Sequence, residues 1–213
     1  LRILRSHKNR FGTTSEIGAF EMAEEGLIEV PNLSESFLEG MDLALEGAAV
    51  TAVYEGTRPL LLEIQALAAP ANVGFARRTA IGVDNTRLNM ILAVLDRKAG
   101  ISLINHDIYV NIVGGLRPED TSIDLAVAMA VYSAYKRIPI DPKTLFLGEI
   151  GLTGELRTIK NADKIIKEAA RMGFTRVLMP QRNAAKLAEK GSDIPRSIKI
   201  IGVRSLYEAI SHI

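Results

Sequence analysis

The amino-acid sequence predicts an α/β or α+β fold in which helices pack on a sheet. Residues 44–82 contain strand-like apolar segments, two of which are joined by a hairpin-length turn. From residue 84 onward, helical and strand-like patterns alternate. Residues 125–135 contain Ser133 as their one polar residue. A helix that is apolar on nearly every face belongs in a core, so we expect this segment to be the central helix.

The first forty residues are predicted to contain strands. Residues 1–8 alternate as a strand does, and Asn9–Gly12 supply turn residues. Two more strands are expected at residues 16–23 and 27–30, and one helical turn at residues 33–38.

The remaining chain is expected to form a larger unit. Asp84 is a good helix N-cap, and Gly173 is a good residue to end a helix. Residues 148–155 (GEIGLTGE) are predicted to be a hairpin rather than a phosphate-binding loop. The expected strands are 48–54, 60–69, 75–82, 101–113, 145–147, 175–179 and 198–203. The expected helices are 84–98, the central helix, 161–172, 183–189 and 205–211.

Composition excludes several kinds of site. The 213 residues include no Cys, which excludes disulfides, thiolate nucleophiles and Cys-bound zinc, and three scattered His make a His-based metal site a poor expectation. No GxxxxGK[ST] string is present to hold nucleotide phosphates. No apolar run is long enough to span a membrane and no signal-peptide pattern occurs, so we expect a cytoplasmic protein without a membrane partner.

The net charge of +1 hides an uneven distribution. Residues 1–10 carry only basic charges, and residues 11–37 carry only acidic ones. Contact with nucleic acid through local patches is therefore allowed, although the net charge does not require it. The chain opens directly in a strand-like segment without Met, and we expect it to be part of a longer protein.

Several strings, in the same order, resemble the RadA family (also called Sms) of bacterial DNA-repair proteins. These strings are KNRFG (8–12), SEIGAFEM (15–22), ARRTAIGVDNTRL (76–88), IDLA (123–126) and GEIGLTGELR (148–157). The resemblance covers essentially the whole chain. It implies that residues 1–40 end a RecA-like ATPase core. Residues 41–213 would be a Lon-protease-like domain of the ribosomal-protein-S5-domain-2-like type.

The resemblance also implies partners and cofactors. The family's ATPase and zinc finger would precede this segment, so ATP, Mg²⁺ and zinc are expected only in the longer protein, and no cofactor is expected here. Lys8 and Arg10 match residues thought to act in trans on ATP bound by a neighbouring ring subunit. Expected partners are DNA, further copies in a homo-hexamer, and a recombinase. The whole protein would be an ATP-driven ring helicase that promotes branch migration.

A Lon-type peptidase attacks with a Ser at the start of the central helix, and the resemblance raises the question whether this Ser is present. Aligning the helix without gaps places Ser122 at the nucleophile position, whereas aligning from Pro118 places Ile123 there. The local sequence also fits a helix start, with Thr121 as N-cap and Asp124 over the helix N-terminus. Both interpretations remain open at this point.

The Lys base of such a peptidase is not matched. Counting back from Pro180 puts the base position at Ile165, on the apolar face of a predicted helix. Lys164 is expected to point outward, and Lys160 lies just before the helix. A serine without its base is only a hydroxyl, so we expect no catalytic residue and a vestigial nucleophile position at Ser122.

Basic residues in the middle of the chain form the predicted DNA surface. Phe75 is the one aromatic residue near them, which argues against stacking on single-stranded bases. Contact with duplex phosphates is the expected mode. The residues are Arg77, Arg78, Arg87, Arg97 and Lys98.

Three functions are therefore considered. We favour a non-catalytic Lon-like domain that supports a hexamer and contacts duplex DNA. The first alternative is an active Ser–Lys peptidase that uses Ser122. The second is a scaffold for oligomerisation alone.

Overall fold

The computed structural model describes residues 2–5, 17–23, 26–29, 35, 38, 43–72, 74–189 and 193–213. Near the start of the chain, strands β1 (Arg2–Arg5), β2 (Ile17–Ala23) and β3 (Gly26–Glu29) form an antiparallel sheet in the order β1-β2-β3. The three strands predicted from sequence are thus confirmed. The helical turn predicted at residues 33–38 falls almost wholly outside the described residues.

The main body is built on a seven-stranded mixed sheet with the order β12-β11-β8-β4-β5-β7-β6. Four neighbouring pairs are parallel, and only β4-β5 and β5-β7 are antiparallel. The predicted α/β class is confirmed, with a mostly parallel central sheet. The strands are β4 (Ala48–Glu55), β5 (Arg58–Pro70), β6 (Arg78–Ile81), β7 (His106–Ile112), β8 (Thr144–Phe146), β11 (Arg176–Pro180) and β12 (Lys199–Val203), while β9 (Glu149–Ile150) and β10 (Leu156–Arg157) form the predicted hairpin.

Helices lie on both faces of this sheet. Alternate residues of β4 belong to two different apolar clusters: Ala49 and Val53 lie in one, and Val50 and Ala52 in the other. This alternation is the two-residue period of a strand buried on both faces. Helices α1 (Asn85–Lys98), α2 (Asp124–Lys136) and α5 (Leu206–Ile210) contribute to the first cluster, and α3 (Ala162–Arg171) and α4 (Gln181–Glu189) to the second.

Helix α2 is the central helix that the sequence predicts. Every residue of 125–131 is inaccessible to solvent, so the helix is enclosed on all sides. Ser133, the one polar residue of 125–135, is also buried and accepts a hydrogen bond from the backbone N–H of Gly47 at 2.8 Å. Gly47 has φ +83°, and a Cβ there would lie 2.3 Å from the Ala66 carbonyl oxygen. Only glycine fits this contact between the helix and the sheet.

Two predicted strands are shorter in the structure. The strand expected at 75–82 covers only β6, and the one expected at 101–113 covers only β7. The physical reason is that side chains, rather than a neighbouring strand, hydrogen-bond to the backbone beside β6 and β7. Arg78 donates to the carbonyls of Leu103 (2.7 Å) and His106, and Asp107 accepts from the backbone N–H of Arg77 at 2.7 Å.

The sheet face that carries the second apolar cluster is only half covered by the described residues. Leu67, Ile81 and Tyr109, on β5, β6 and β7, are exposed there, and Leu45 lies beside them. Their neighbours in the strands, such as Val110, point to the buried first face. Among the described helices, none has the length and apolar character needed to cross a bilayer.

Candidate functional site

The start of the central helix differs from the predicted cap. A 3-10 turn, Thr121–Ile123, precedes α2, and its cap is Asp120, whose side chain accepts from the backbone N–H of Ser122 at 2.9 Å. The prediction that Thr121 is the N-cap is therefore wrong. The Thr121 hydroxyl instead donates to the Glu149 carboxylate at 3.0 Å, because the β9-β10 hairpin packs against this turn.

Asp124 lies in the first turn of the central helix, as predicted, and its carboxylate also has partners from other elements. Only 1% of it is exposed, and its carboxylate accepts from the backbone N–H of Ile150 at 3.0 Å. Arg87 of α1 binds the same carboxylate with two donors, Nε at 3.0 Å and an Nη. Arg87 also donates to the Ile150 carbonyl at 3.1 Å and lies 3.9 Å from Glu149. Two helices and a hairpin are therefore joined at one buried carboxylate.

The protonation of this pair follows from its surroundings. Burial raises the pKa of the Asp124 carboxyl above its ordinary value of 3.8, and hydrogen bonds from Arg87 and Ile150 oppose that change. The hydrogen bond to Asp124 raises the pKa of Arg87. A guanidinium with a raised pKa holds its proton at any physiological pH, so Arg87 joins the two helices as a permanent cation.

Ser122 has no base in the described part of the chain. It is only 5% exposed, and its Oγ has no hydrogen-bond partner among the described residues. Ile165, where the resemblance to the RadA family predicts the base position, is 2% exposed and packs in the second apolar cluster with its α3 neighbours. Lys164 is exposed, with Nζ 5.4 Å from the centre of the Tyr54 ring. Lys160 is exposed as well. The structure does not assemble a Ser–Lys pair here.

The five predicted DNA-binding residues divide into two groups. The guanidinium groups of Arg78 and Arg87 are occupied by the internal contacts described above, and both residues are half-buried. Arg77, Arg97 and Lys98 are exposed. Of the five, only the second group offers unoccupied cations to a ligand, and we refer to Arg77, Arg97 and Lys98 as the basic triad.

The basic triad comes from two segments that meet at one loop. Leu103 accepts from Arg78 through its carbonyl and donates its N–H to Asp96 at 3.1 Å. The beginning of β6 and the end of α1 therefore flank the same loop. Lys98 lies beside the hairpin, since a Cβ added to Gly154 would be 3.2 Å from Lys98 Cγ. The basic triad thus comes from two segments that are adjacent in the fold.

Lys8 and Arg10 lie outside the residues that the structure describes. Their predicted role towards ATP therefore stays a prediction. The described ranges contain no group of three or more His, Cys, Asp or Glu that could hold a metal ion.

The sequence reasoning missed two features. One is the Arg87–Asp124 pair, whose only signal was an acidic residue directly before an apolar helix. The other is a set of arginines, Arg157, Arg182 and Arg204, that line one cleft. Each of these follows or ends a strand, and that position could have been noticed in the sequence.

Residues 67–183 match the family described as subunit ChlI of Mg-chelatase. The chain is also similar to three proteins named DNA repair protein RadA. The protein from Halalkalibacterium halodurans is 45% identical over 98% of this chain and 45% of the relative. The Bacillus subtilis protein is 44% identical over 98% of this chain and 44% of the relative, and the Streptococcus pneumoniae protein is 43% identical over the whole chain and 49% of the relative. The chain thus spans about half the length of these relatives, and the resemblance noted in the sequence is confirmed.

Proposed function

The chain belongs to the family described as subunit ChlI of Mg-chelatase, and from this premise and its similarity to RadA proteins we propose a non-catalytic role in DNA repair. Residues 41–213 act as a Lon-like domain of the ribosomal-protein-S5-domain-2-like type, and residues 1–40 end a RecA-like ATPase core. The domain contacts duplex DNA and supports a hexameric ring. The whole protein is an ATP-driven ring helicase that promotes branch migration in the cytoplasm, together with a recombinase. ATP, Mg²⁺ and zinc bind outside this segment, and Lys8 and Arg10 reach the ATP of a neighbouring subunit.

The observation that carries the non-catalytic part of this proposal is the isolation of the Ser122 hydroxyl. A serine nucleophile needs a base that accepts its proton, and no such base lies at hydrogen-bond distance among the described residues. The base position is an isoleucine enclosed in an apolar cluster, where a Lys would need to displace packed side chains. A buried serine without a base supports a scaffold role rather than peptidase activity.

The basic triad supports the DNA-binding part. Arg and Lys side chains that are exposed and unpaired can release counterions from the DNA backbone without breaking internal contacts. Phe75 beside Arg77 is fully exposed, but a single ring does not provide a platform for successive bases. Contact with duplex phosphates, independent of sequence, is therefore the mode that this surface favours.

The open half of the sheet supports the assembly part. Leu67, Ile81 and Tyr109 form a contiguous apolar surface, which soluble monomers rarely expose. A second copy of the chain is the occupant we propose, because the resemblance to the RadA family implies a ring of several copies. Light scattering of the chain at high concentration tests this part: we expect an oligomer that Leu67→Glu weakens, and a monomer under all conditions would contradict it.

Binding to a labelled duplex, measured by fluorescence anisotropy over a salt series, tests the central function. Between about 50 and 200 mM salt the affinity should fall steeply, since each neutralised phosphate contributes about −0.9 to the slope of log K against log salt. A flat response, or no binding at the lowest salt, would contradict the DNA-binding role.

The peptidase alternative has a separate test. Casein and fluorogenic peptides are incubated with the chain and with its Ser122→Ala variant. We expect no cleavage by either protein. Cleavage that disappears in the variant would establish the peptidase and overturn the non-catalytic assignment.

A further inference from the structure

A cleft of about 710 Å³ lies at one edge of the sheet, and none of the three basic-triad residues lines it. Its charged lining residues are three arginines, Arg157, Arg182 and Arg204, and one acid, Glu155. The three arginines are exposed. The cleft therefore combines a defined volume with an excess of positive charge, which neither the scaffold role nor the contact of the basic triad with DNA requires.

The sheet topology explains why these arginines meet. Strands β11 and β12 are parallel, and Pro180 at the end of β11 is in register with Val203 at the end of β12. The residues that follow, Arg182 and Arg204, therefore leave the sheet at the same carboxyl edge. Open α/β sheets bind their ligands at this edge.

The third arginine is brought to the same place by the hairpin. The N–H of Leu156 donates to the Arg204 carbonyl at 3.0 Å, and the N–H of Leu206 donates to the Gly154 carbonyl at 2.9 Å. These two bonds hold β10 against the segment that follows β12. Arg157 is thus fixed next to Arg204 by backbone contacts and not by flexible side chains alone.

Glu155 offsets only part of this charge. Its carboxylate accepts from the Thr153 hydroxyl at 2.7 Å, an interaction that lowers its pKa, and lies 3.7 Å from Arg157 Nε. Within the described ranges, the side chains of Arg182 and Arg204 have no acidic partner. Two guanidinium groups are therefore free to bind an anion, and Arg157 is only loosely held.

We propose that the cleft lined by Arg157, Arg182 and Arg204 binds the phosphate groups of a phosphate ester. The guanidinium fork matches the oxygens of phosphate with two parallel hydrogen bonds, a geometry that Lys does not offer. The volume of the cleft falls in the range of roughly 300–1,000 Å³ that is usual for small-molecule sites, so a nucleotide-sized ligand fits. The shared chemistry is phosphate, which a free phosphate ester or a nucleic-acid strand can supply.

Isothermal titration with tripolyphosphate tests the proposal on the whole chain. We expect saturable binding to the wild type. Binding by the double variant Arg182→Gln/Arg204→Gln should be at least about tenfold weaker, since hydrogen bonds to charged groups are each worth about this factor or more. The single variant Arg182→Gln should lie between them. Unfolding midpoints without ligand confirm that the variants fold, because the replaced side chains are exposed.

A matched control removes two exposed cations elsewhere, Arg58→Gln/Lys167→Gln, and should bind tripolyphosphate like the wild type. No saturable binding to the wild type, or equal binding by the Arg182→Gln/Arg204→Gln variant, would overturn the proposal. Competition experiments then distinguish the two sources of phosphate. ATP displaces tripolyphosphate if the ligand is a free phosphate ester. An oligonucleotide without terminal phosphates displaces it if the ligand is a nucleic-acid strand.

The same titration on a variant of the basic triad (Arg77→Gln/Arg97→Gln/Lys98→Gln) keeps this proposal separate from the proposed function. We expect that variant to lose duplex affinity and to keep tripolyphosphate binding. Loss of both activities together would show that the cleft is not an independent site.

Discussion

Arg87 and Asp124 form a two-point ion pair that joins helix α1 to the start of the central helix. Both the Nε and an Nη of Arg87 donate to the carboxylate, which is almost completely buried. Because Arg87 also donates to the carbonyl of Ile150, the pair holds the hairpin in place as well. Arg87 is therefore a structural residue, although its charge made it a candidate for DNA contact.

Removing the carboxylate should destabilise the protein strongly. In Asp124→Ala, Arg87 keeps a half-buried charge without its partner, and the N–H of Ile150 loses its acceptor. We expect the free energy of unfolding to fall by about 3–5 kcal/mol, the usual cost of breaking a buried pair. Urea denaturation measures this change.

The matched control is Glu168→Ala, which breaks the exposed pair between Glu168 and Arg171 on α3. Pairs of this kind contribute less than about 1 kcal/mol. Equal losses in Asp124→Ala and Glu168→Ala would show that the buried pair has no special role.

Replacing the cation should make stability depend on pH. Burial raises the pKa of Asp124 in the folded protein, so folding favours the protonated carboxyl. This contribution to the free energy of unfolding is fully present below the ordinary pKa of 3.8, and it is lost as pH rises through the folded-state pKa. Arg87→Leu removes the hydrogen bonds that oppose this shift, so the folded pKa rises further and more stability is lost by neutral pH. We therefore expect the free energy of unfolding of Arg87→Leu to lie closer to that of the wild type at about pH 4 than at about pH 7. Urea unfolding at both pH values checks this, and a deficit that grows on acidification would refute it.

The unpaired Ser122 hydroxyl should contribute nothing to stability. A buried hydroxyl without a partner costs desolvation free energy, so Ser122→Ala should leave the free energy of unfolding unchanged or raise it by up to about 1 kcal/mol. Differential scanning calorimetry measures the effect. A clear loss of stability would mean that the hydroxyl has a partner in solution, which would reopen the question of a base.

The sequence was sufficient to predict the order of most elements. The apolar residues of α2, the capping position Asp84 and the turn after β4 are local signals, and each is found where its pattern predicts. Strand lengths were less well predicted around β6 and β7. There, the guanidinium of Arg78 satisfies the backbone of residues distant in sequence, which no local pattern shows.

The candidate site was only partly predictable for the same reason. That Ile165 would be buried on the apolar face of its helix could be deduced along the chain. Which arginines are free could not be deduced, because Arg87 and Arg97 lie on the same predicted helix and only the folded chain brings Asp124 to Arg87. Likewise, Arg157 and Arg204 become neighbours only through backbone bonds between a hairpin and a strand end.

Duplex binding by a variant of the basic triad tests the central proposal most directly. Arg77→Gln/Arg97→Gln/Lys98→Gln is compared with Arg58→Gln/Lys167→Gln/Lys186→Gln, which removes the same number of exposed charges elsewhere. We predict that the first variant binds a labelled duplex more weakly at low salt. Its slope of log K against log salt should be reduced by about 3, roughly one for each phosphate that is no longer neutralised, while the second variant behaves like the wild type. Equal slopes and affinities in both variants and the wild type would contradict the account.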